Sequence, residues 1–164
     1  AAELADSLFA LAALAAETGA VQEVIVQNFR AKAGTPMQRA AEPTPAYLAR
    51  VVAVARWVLG PAMNLQAPPN LTERFEAYLD AGANDWGGVS PLTPDWVNPE
   101  APWPALEELA ARTRAAGFRL MPRLPVYPEF LRPEWADPGL FPRLRAAADE
   151  QGYALAPQLG EAAP

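Results

Sequence analysis

Two kinds of hydrophobic pattern take turns along this chain, one with the period of a helix and one typical of buried strands. Residues 2–18 place leucines at helical spacing in an Ala-rich background, and Gly19 follows as a C-cap. Residues 21–29 are rich in β-branched side chains and lie between breakers, which predicts a strand with a buried middle. The chain therefore opens with a helix followed by a strand.

The same alternation continues after a loop that contains Gly34 and Pro36. Thr44 and Pro45 form an N-cap and first-turn proline for an amphipathic helix at 47–59. The later segments are predicted as strand 63–67, a helix from residue 71 to Tyr78 and Leu79, strand 84–90, helix 105–116, extended segment 118–126 and a helix near 140–150. Strands that alternate with helices predict an α/β fold of parallel strands with helical crossovers. About three such units are present, short of half of a closed barrel of about 250 residues.

Composition and charge exclude several classes of partner. The 164 residues carry a net charge of −6 and no run of Lys or Arg, so a nucleic-acid partner is not expected. The longest apolar stretches are too short to cross a bilayer and no secretory signal is visible, so a cytoplasmic location without membrane contact is expected.

The chain contains neither cysteine nor histidine. This excludes disulfides, thiolate nucleophiles, Ser-His pairs and the common zinc sites within the chain. Any iron–sulfur cluster would have to be held by residues elsewhere. The chain also opens without Met in the middle of a helical pattern, and we interpret it as a fragment of a longer protein.

Polar residues gather where the three predicted strands end, and in parallel α/β folds the strand ends carry the chemistry. They are Gln27, Asn28, Arg30 and Lys32 after the first strand, Gln66 and Asn70 after the second, and Asn84, Asp85, Trp86, Gly87, Gly88 and Ser90 in the third. Amide side chains both donate and accept hydrogen bonds, which suits a neutral heterocycle or sugar hydroxyls better than a phosphate.

Each of these positions also has a structural explanation. Gln27 and Asn28 could cap a strand end, and Asn70 could start the next helix after the two prolines. Trp86 could be a core residue, Asp85 a hydrogen-bonded cap, and the adjacent glycines a packing feature. Arg30 and Lys32 could be solvated.

Four blocks of sequence carry a resemblance to a known family. Residues 22–37 (QEVIVQNFRAKAGTPM), 65–71 (LQAPPNL), 81–104 (AGANDWGGVSPLTPDWVNPEAPWP) and 123–130 (RLPVYPEF) resemble the FO synthases, specifically the part without the tyrosine-coupling step. The similarity runs in order from residue 1 to residue 130. The chain departs from the family pattern at Ala20-Val21, where His is usual, and at Pro122, where Glu is frequent.

The resemblance implies a fold and a reaction. The fold would be the C-terminal half of a radical-SAM (β/α) TIM-like barrel at 1–130, followed by a Pro-rich tail or linker at 131–164. A [4Fe–4S] cluster and S-adenosyl-L-methionine would initiate cyclisation of a hydroxybenzyl-ribitylaminouracil adduct to the deazaflavin FO. Both cofactors would be bound mainly by the missing N-terminal half of the barrel. A tyrosine-coupling subunit or domain is a further partner that this resemblance implies.

Within this scheme the chain would supply a wall of the substrate pocket. Asp85 is the predicted proton acceptor during cyclisation, and no metal ligand is expected. The predicted substrate-binding residues are Gln27, Asn28, Arg30, Gln66, Asn70, Asn84, Trp86, Gly87, Gly88 and Ser90. The alternative is an inactive fragment or a binding domain without turnover. A hydrolase or isomerase would need a nucleophile and base that the sequence does not offer.

Overall fold

A computed structural model describes residues 2–90 and 92–155 of the chain. Its helices and strands, in chain order, are α1 (Ala2–Thr18), β1 (Glu23–Ile25), α2 (Pro45–Leu59), β2 (Asn64–Ala67), α3 (Glu76–Asp80), β3 (Asp85–Trp86), α4 (Leu106–Ala115) and α5 (Phe141–Ala146). Two short 3-10 turns lie at Pro69–Leu71 and Pro128–Phe130. Contacts within the chain divide it into two compact units, Ala1–Ala105 and Leu106–Pro164.

The first unit is built on a three-stranded parallel sheet of order β1-β2-β3. Val24 pairs with Leu65, and Ala67 pairs with Trp86, both in parallel register. The prediction of an α/β fold with three parallel strands is therefore confirmed. Helices α2 and α3 connect successive strands, as parallel connections require.

Helix α2 forms where the sequence predicts it. The Thr44 hydroxyl accepts a 3.2 Å hydrogen bond from the Tyr47 amide, and Pro45 occupies the first turn, where its missing N–H is not needed. The helix buries one stripe at spacings of three and four residues, namely Leu48, Val51, Val52 and Ala55. This stripe is the face expected of an amphipathic helix packed against a sheet.

The two faces of the sheet differ in chemistry. Because side chains alternate along a strand, register partners in neighbouring parallel strands point to the same face. One face carries Val24, Leu65 and Trp86, all buried. The other carries Gln66, Asp85 and Ile25, and the Ile25 side chain is 51% exposed. The sheet thus has one apolar core face and one mixed polar face.

Several predicted elements are shorter than the sequence patterns that indicated them. Strand β3 ends at Trp86, before Gly88 with its φ of +73°. Helix α3 begins only at Glu76 because the 3-10 turn and an extended Thr72 come first. The helix predicted near 140–150 ends at Ala146, and Ala148 then forms an antiparallel bridge to Ala154.

The second unit holds α4 and the Pro-rich C-terminal part of the chain. Segment 118–126 contains no strand; within it, Pro122 O accepts a 3.1 Å hydrogen bond from Ala154 N. Gly152 lies against Pro128, where a Cβ would come within 2.9 Å of the ring. These contacts tie segment 118–130 to the tail. The compact units divide at Ala105, whereas the sequence placed a boundary after residue 130. Part of the predicted tail, residues 156–164, lies outside the described residues.

No helix among residues 2–90 and 92–155 is long and apolar enough to cross a membrane.

Candidate functional site

The loops that follow the three strands are joined by hydrogen bonds and an ion pair. We call them exit loop 1 (residues 26–43), exit loop 2 (residues 68–75) and exit loop 3 (residues 87–104, of which residue 91 is not described). Lys32 Nζ of exit loop 1 lies 2.6 Å from Glu100 Oε1 of exit loop 3. Asn70 of exit loop 2 donates to exit loop 3 at two positions, Asp95 and Ala101. The three loops therefore meet at one end of the sheet.

Asn28 follows β1 and is only 8% exposed. Its Nδ2 donates a long hydrogen bond of 3.5 Å to the Tyr78 hydroxyl of α3, while its Oδ1 is buried and has no hydrogen-bond partner in the described part of the chain. Burial raises the pKa of Tyr78 and outweighs the hydrogen bond from Asn28, which lowers it, so the phenol stays protonated at neutral pH. The end of β1 thus presents a buried amide oxygen without a donor.

Asn70 lies in the 3-10 turn after β2, and its side-chain Nδ2 donates both of its hydrogens. Its Nδ2 donates to Asp95 Oδ2 at 2.9 Å and to the Ala101 carbonyl at 2.8 Å. Its Oδ1 is buried and, like that of Asn28, has no hydrogen-bond partner among the described residues. Two exit loops therefore each contain an unpaired amide oxygen.

Asp95 organises exit loop 3 although it is almost fully buried. Its Oδ1 accepts from the backbone N–H groups of Val97 and Asn98 at 2.8 and 3.0 Å, and its Oδ2 accepts from the side-chain amides of Asn98 and Asn70 at 3.1 and 2.9 Å. Burial alone would raise the pKa of Asp95, but the hydrogen bonds from Asn98, Asn70 and Val97 favour the charged form and together lower it. The carboxylate is therefore ionised and satisfied inside the loop.

Gln66 lies on the polar face of the sheet and is buried there. Its Nε2 donates to the Glu23 carboxylate on β1, and its Oε1 lies where a Cβ on Gly87 would come within 2.5 Å. Gly87 therefore makes room for Gln66, which is the packing explanation for that glycine. Asp85 is the register partner of Gln66 on β3 and is half-buried.

Asn84 lies at the start of β3, at the opposite end of the strand from exit loop 3. Its Oδ1 accepts from Arg56 Nη2 at 2.9 Å and from Leu65 N at 2.7 Å, and its Nδ2 donates to Asn64 Oδ1 at 3.3 Å. The structure thus gives Asn84 a bracing role between α2 and the sheet and does not bring it together with Asn28 and Asn70.

Arg56 is the centre of this bracing network. It donates to the carbonyls of Gly82, Gly60 and Met63 at 2.7, 2.8 and 2.6 Å, and its side chain passes where a Cβ on Gly82 would lie 2.8 Å from Arg56 Cγ. Burial lowers the pKa of Arg56 from its ordinary value, yet the guanidinium keeps its charge at any physiological pH. The C-terminal end of α2 is thereby fixed to the loops that begin β2 and β3.

Trp86 is part of the core of the first unit. Its ring packs edge-to-face on Phe75 with centroids 5.2 Å apart, and 8% of the residue is exposed. Gly88, two residues later, has a positive φ of +73°, and a Cβ there would be in ordinary contact with the Trp103 ring at 3.5 Å. Both positions have packing or turn roles in the structure.

The remaining predicted residues lie on or near the surface of the exit loops. Gln27 is exposed. Arg30 Nη1 lies 3.4 Å from Glu42 Oε2, and its Nε is buried without a partner in the described residues. The Ser90 hydroxyl accepts from the backbone amide of Thr93 at 3.1 Å and closes a turn. These contacts organise exit loops 1 and 3.

Sequence reasoning missed five residues that shape the exit loops and the sheet: Glu23, Arg56, Tyr78, Asp95 and Asn98. The turn at Asp95–Asn98 could have been predicted from the sequence. An Asp often forms a turn in which its carboxylate accepts from the amides two and three residues later. Nothing in the sequence indicates the role of Arg56, since an Arg in the last turn of a helix is ordinary.

The described residues 2–90 and 92–155 contain no group of three or more His, Cys, Asp or Glu side chains placed to hold a metal ion.

Comparison with known proteins gives one consistent result. The chain is 52% identical over 152 residues to the FO synthase of Streptomyces coelicolor, which covers 91% of this chain and 18% of that protein. It is 55% identical over 137 residues to the 7,8-didemethyl-8-hydroxy-5-deazariboflavin synthase of Methanopyrus kandleri, covering 83% of this chain and 41% of that protein. The FO synthase of Mycobacterium leprae is 53% identical over 152 residues. The resemblance to FO synthase is confirmed, and the chain spans less than half of the length of these relatives. No protein-family model and no solved structure matches it.

Proposed function

We propose that this chain is part of an enzyme that forms the deazaflavin FO, and that its exit loops build one wall of the substrate pocket. The observation that supports the proposal is the identity of about half to FO synthases along most of the chain. The fold agrees with it, since loops at the carboxyl ends of parallel strands are where α/β enzymes bind their substrates. The buried amide oxygens of Asn28 and Asn70 occupy two of these loops.

The rest of the scheme follows from the family resemblance. The parallel strands would belong to a radical-SAM (β/α) barrel, and the substrate would be the hydroxybenzyl-ribitylaminouracil adduct. A [4Fe–4S] cluster and S-adenosyl-L-methionine would supply the radical chemistry. The residues of this chain do not fit such a cluster, because cysteine and histidine are lacking altogether. We therefore assign both cofactors to the part of the protein outside this chain, the N-terminal half of the barrel.

The contribution of this chain would be binding, orientation and proton handling. A hydrogen abstraction requires the reacting atom to be held in place, because a carbon radical attacks whatever it touches. Asn28 and Asn70 would hold polar groups of the substrate. Asp85 is our candidate proton acceptor for the cyclisation, because it lies on the polar face of the sheet beside Gln66. A tyrosine-coupling subunit or domain would supply the adduct.

The test uses the full-length protein that contains this chain, reconstituted with iron and sulfide and supplied with S-adenosyl-L-methionine, a reductant and the adduct. We expect FO, measured by its mass and fluorescence, together with 5′-deoxyadenosine. Asp85→Asn should lower kcat with little change in KM, and Asn28→Ala should raise KM. Arg50→Ala, an exposed position on α2, is the control. A reconstituted protein that consumes S-adenosyl-L-methionine and the adduct without forming FO would overturn the proposal.

A second candidate function is ligand binding without turnover, and the absence of cysteine favours it for the chain by itself. We expect the purified chain to show no iron-dependent visible absorbance after reconstitution and to make no FO. Product formed by the chain alone would contradict the assignment of the cluster to the rest of the protein.

A further inference from the structure

The side-chain amide of Asn70 has only one chemically acceptable orientation. Both hydrogens of its Nδ2 are taken by groups that only accept, the Asp95 carboxylate at 2.9 Å and the Ala101 carbonyl at 2.8 Å. A rotation of the amide by half a turn would put its oxygen against these two oxygens with no hydrogen between them. The Oδ1 of Asn70 must therefore point the other way.

In that direction the oxygen is buried and has no partner in the described part of the chain. Buried acceptors without a donor are uncommon in native proteins, and each one calls for an explanation. A ligand that brings an N–H or O–H group to this atom would supply that partner. An anion offers no hydrogen to this atom, because an amide oxygen can only accept.

Asp95 is itself held in place by several hydrogen bonds, and it can therefore orient the amide of Asn70. The backbone amides of Val97 and Asn98 and the side chain of Asn98 all donate to it, so three of its four hydrogen bonds come from the turn of exit loop 3. Asn70 belongs to exit loop 2, which follows the neighbouring strand. The orientation of an amide in one loop is thus set by a carboxylate in another.

We propose that Asp95 is a positioning residue that holds the Asn70 amide with its oxygen toward the substrate, where it accepts a hydrogen bond from a neutral N–H or O–H donor. This inference rests on the proposed function, in which exit loop 2 faces the substrate. A ribitylaminouracil offers donors of both kinds, on its ring nitrogens and on its ribityl hydroxyls. Asn28, whose Oδ1 also has no partner within residues 2–90 and 92–155, would be a second acceptor of the same chemical kind.

The test compares the full-length protein with its Asn70→Ala and Asp95→Asn variants in binding and in turnover. The probes are 5-amino-6-ribitylaminouracil and analogues that each lack one donor, a ring N-methyl derivative and single deoxyribityl derivatives. Isothermal titration gives the Kd of each probe, and steady-state kinetics with the adduct separates KM from kcat. Circular dichroism checks that each variant is folded.

We expect the unaltered protein to bind one donor-deficient analogue roughly tenfold more weakly than the parent probe, the effect of one lost hydrogen bond. Asn70→Ala should abolish that discrimination and raise KM with little change in kcat. Asp95→Asn has nearly the same shape, and it should reduce the discrimination because the amide of Asn70 is no longer fixed. Asp80→Asn makes the same carboxylate-to-amide change at an exposed position on α3, outside the exit loops, and should leave the discrimination unchanged.

Equal discrimination in all four proteins would overturn the inference. If the unaltered protein also forms FO, the proposed function stands in that case and only the role of Asp95 and Asn70 fails. If the unaltered protein forms no FO from the adduct under reconstitution, the proposed function itself fails. If Asn70→Ala does not fold, the Asp95→Asn variant provides the test. Unchanged KM and discrimination in that variant would overturn the inference.

Discussion

Arg56 Nη2 donates a 2.9 Å hydrogen bond to Asn84 Oδ1, and the same oxygen accepts the backbone N–H of Leu65 at 2.7 Å. One amide oxygen thus links the last turn of α2 to the second strand and to the start of the third. This relationship separates Asn84 from Asn28 and Asn70, whose amide oxygens have no donor in the described residues. Three asparagines near strand ends therefore divide into a brace and two binding candidates.

Replacing Arg56 should be among the most damaging single changes in the first unit. Arg56→Ala leaves the carbonyls of Gly82, Gly60 and Met63 without their charged donor, and we expect a loss of about 2–4 kcal/mol in the free energy of unfolding. Arg56→Lys should recover only part of this lost free energy of unfolding, because an ammonium group cannot reach divergent acceptors as a planar guanidinium does. Chemical denaturation of the protein that contains this chain measures both.

The matched control for this prediction is Arg50→Ala, which removes an arginine from an exposed position on the same helix. It should change the free energy of unfolding by less than about 0.5 kcal/mol. Similar losses for Arg50→Ala and Arg56→Ala would show that the network carries no particular stability.

A methyl group at Gly87 should disturb the polar face of the sheet. A Cβ there would lie 2.5 Å from Gln66 Oε1, so Gly87→Ala forces Gln66 away from Glu23 at a cost of about 1–3 kcal/mol. The double variant Gly87→Ala/Gln66→Ala should cost less than the sum of the two single variants, because the clash is gone. Strictly additive losses in thermal or urea unfolding would argue against this contact as the reason for glycine.

Asp95 should make the stability of the protein depend on pH in the acid range. Its pKa in the folded state is lowered from an ordinary value near 3.8, so the folded state binds its proton less readily than the unfolded state. The stabilisation is therefore fully present above about pH 4 to 5 and is lost as the pH falls through the lowered pKa. Asp95→Asn should be less stable than the unaltered protein at pH 7 and should lose less on acidification to pH 3.

Glu100→Gln serves as the comparison in the acid range. The hydrogen bond from Lys32 is the main reason that the pKa of Glu100 is lowered, but this pair is exposed and contributes little to stability. We expect the unfolding curves of Glu100→Gln to follow those of the unaltered protein from pH 7 to pH 3. A flattened pH profile in this variant, equal to that of Asp95→Asn, would remove the special role of Asp95.

The isolated chain should self-associate through the edge of its sheet. Strand β1 is an outer strand, and Ile25 on it is 51% exposed. Outer strands with exposed apolar side chains pair with whatever chain is available. Size-exclusion chromatography with light scattering should show oligomers that Ile25→Lys reduces and that Val54→Lys, a change at a comparably exposed position on α2, leaves in place. A stable monomer of the unaltered chain at high concentration would contradict this expectation.

Local patterns in the sequence were sufficient for the order of elements and for the parallel sheet. The Leu48–Val51–Val52–Ala55 stripe and the Thr44-Pro45 start are properties of neighbouring residues, so they can be read without knowing the fold. Composition likewise decided that this chain holds no cysteine-ligated cluster. These conclusions depend on chemistry that residues carry with them wherever they lie.

Tertiary structure alone decided which polar side chains have hydrogen-bond partners for all their atoms and which have an atom without a partner in the described residues. Asn84 and Asn70 look alike in sequence, yet one is saturated by Arg56, 28 positions away, and the other is oriented by Asp95, 25 positions away. Strand β3 is only two residues long, so the hydrophobic pattern cannot separate the residues at its beginning from those at its exit. Hydrogen-bond partners are set by where the folded chain brings distant groups together, and a periodic pattern of apolar residues contains no such distances.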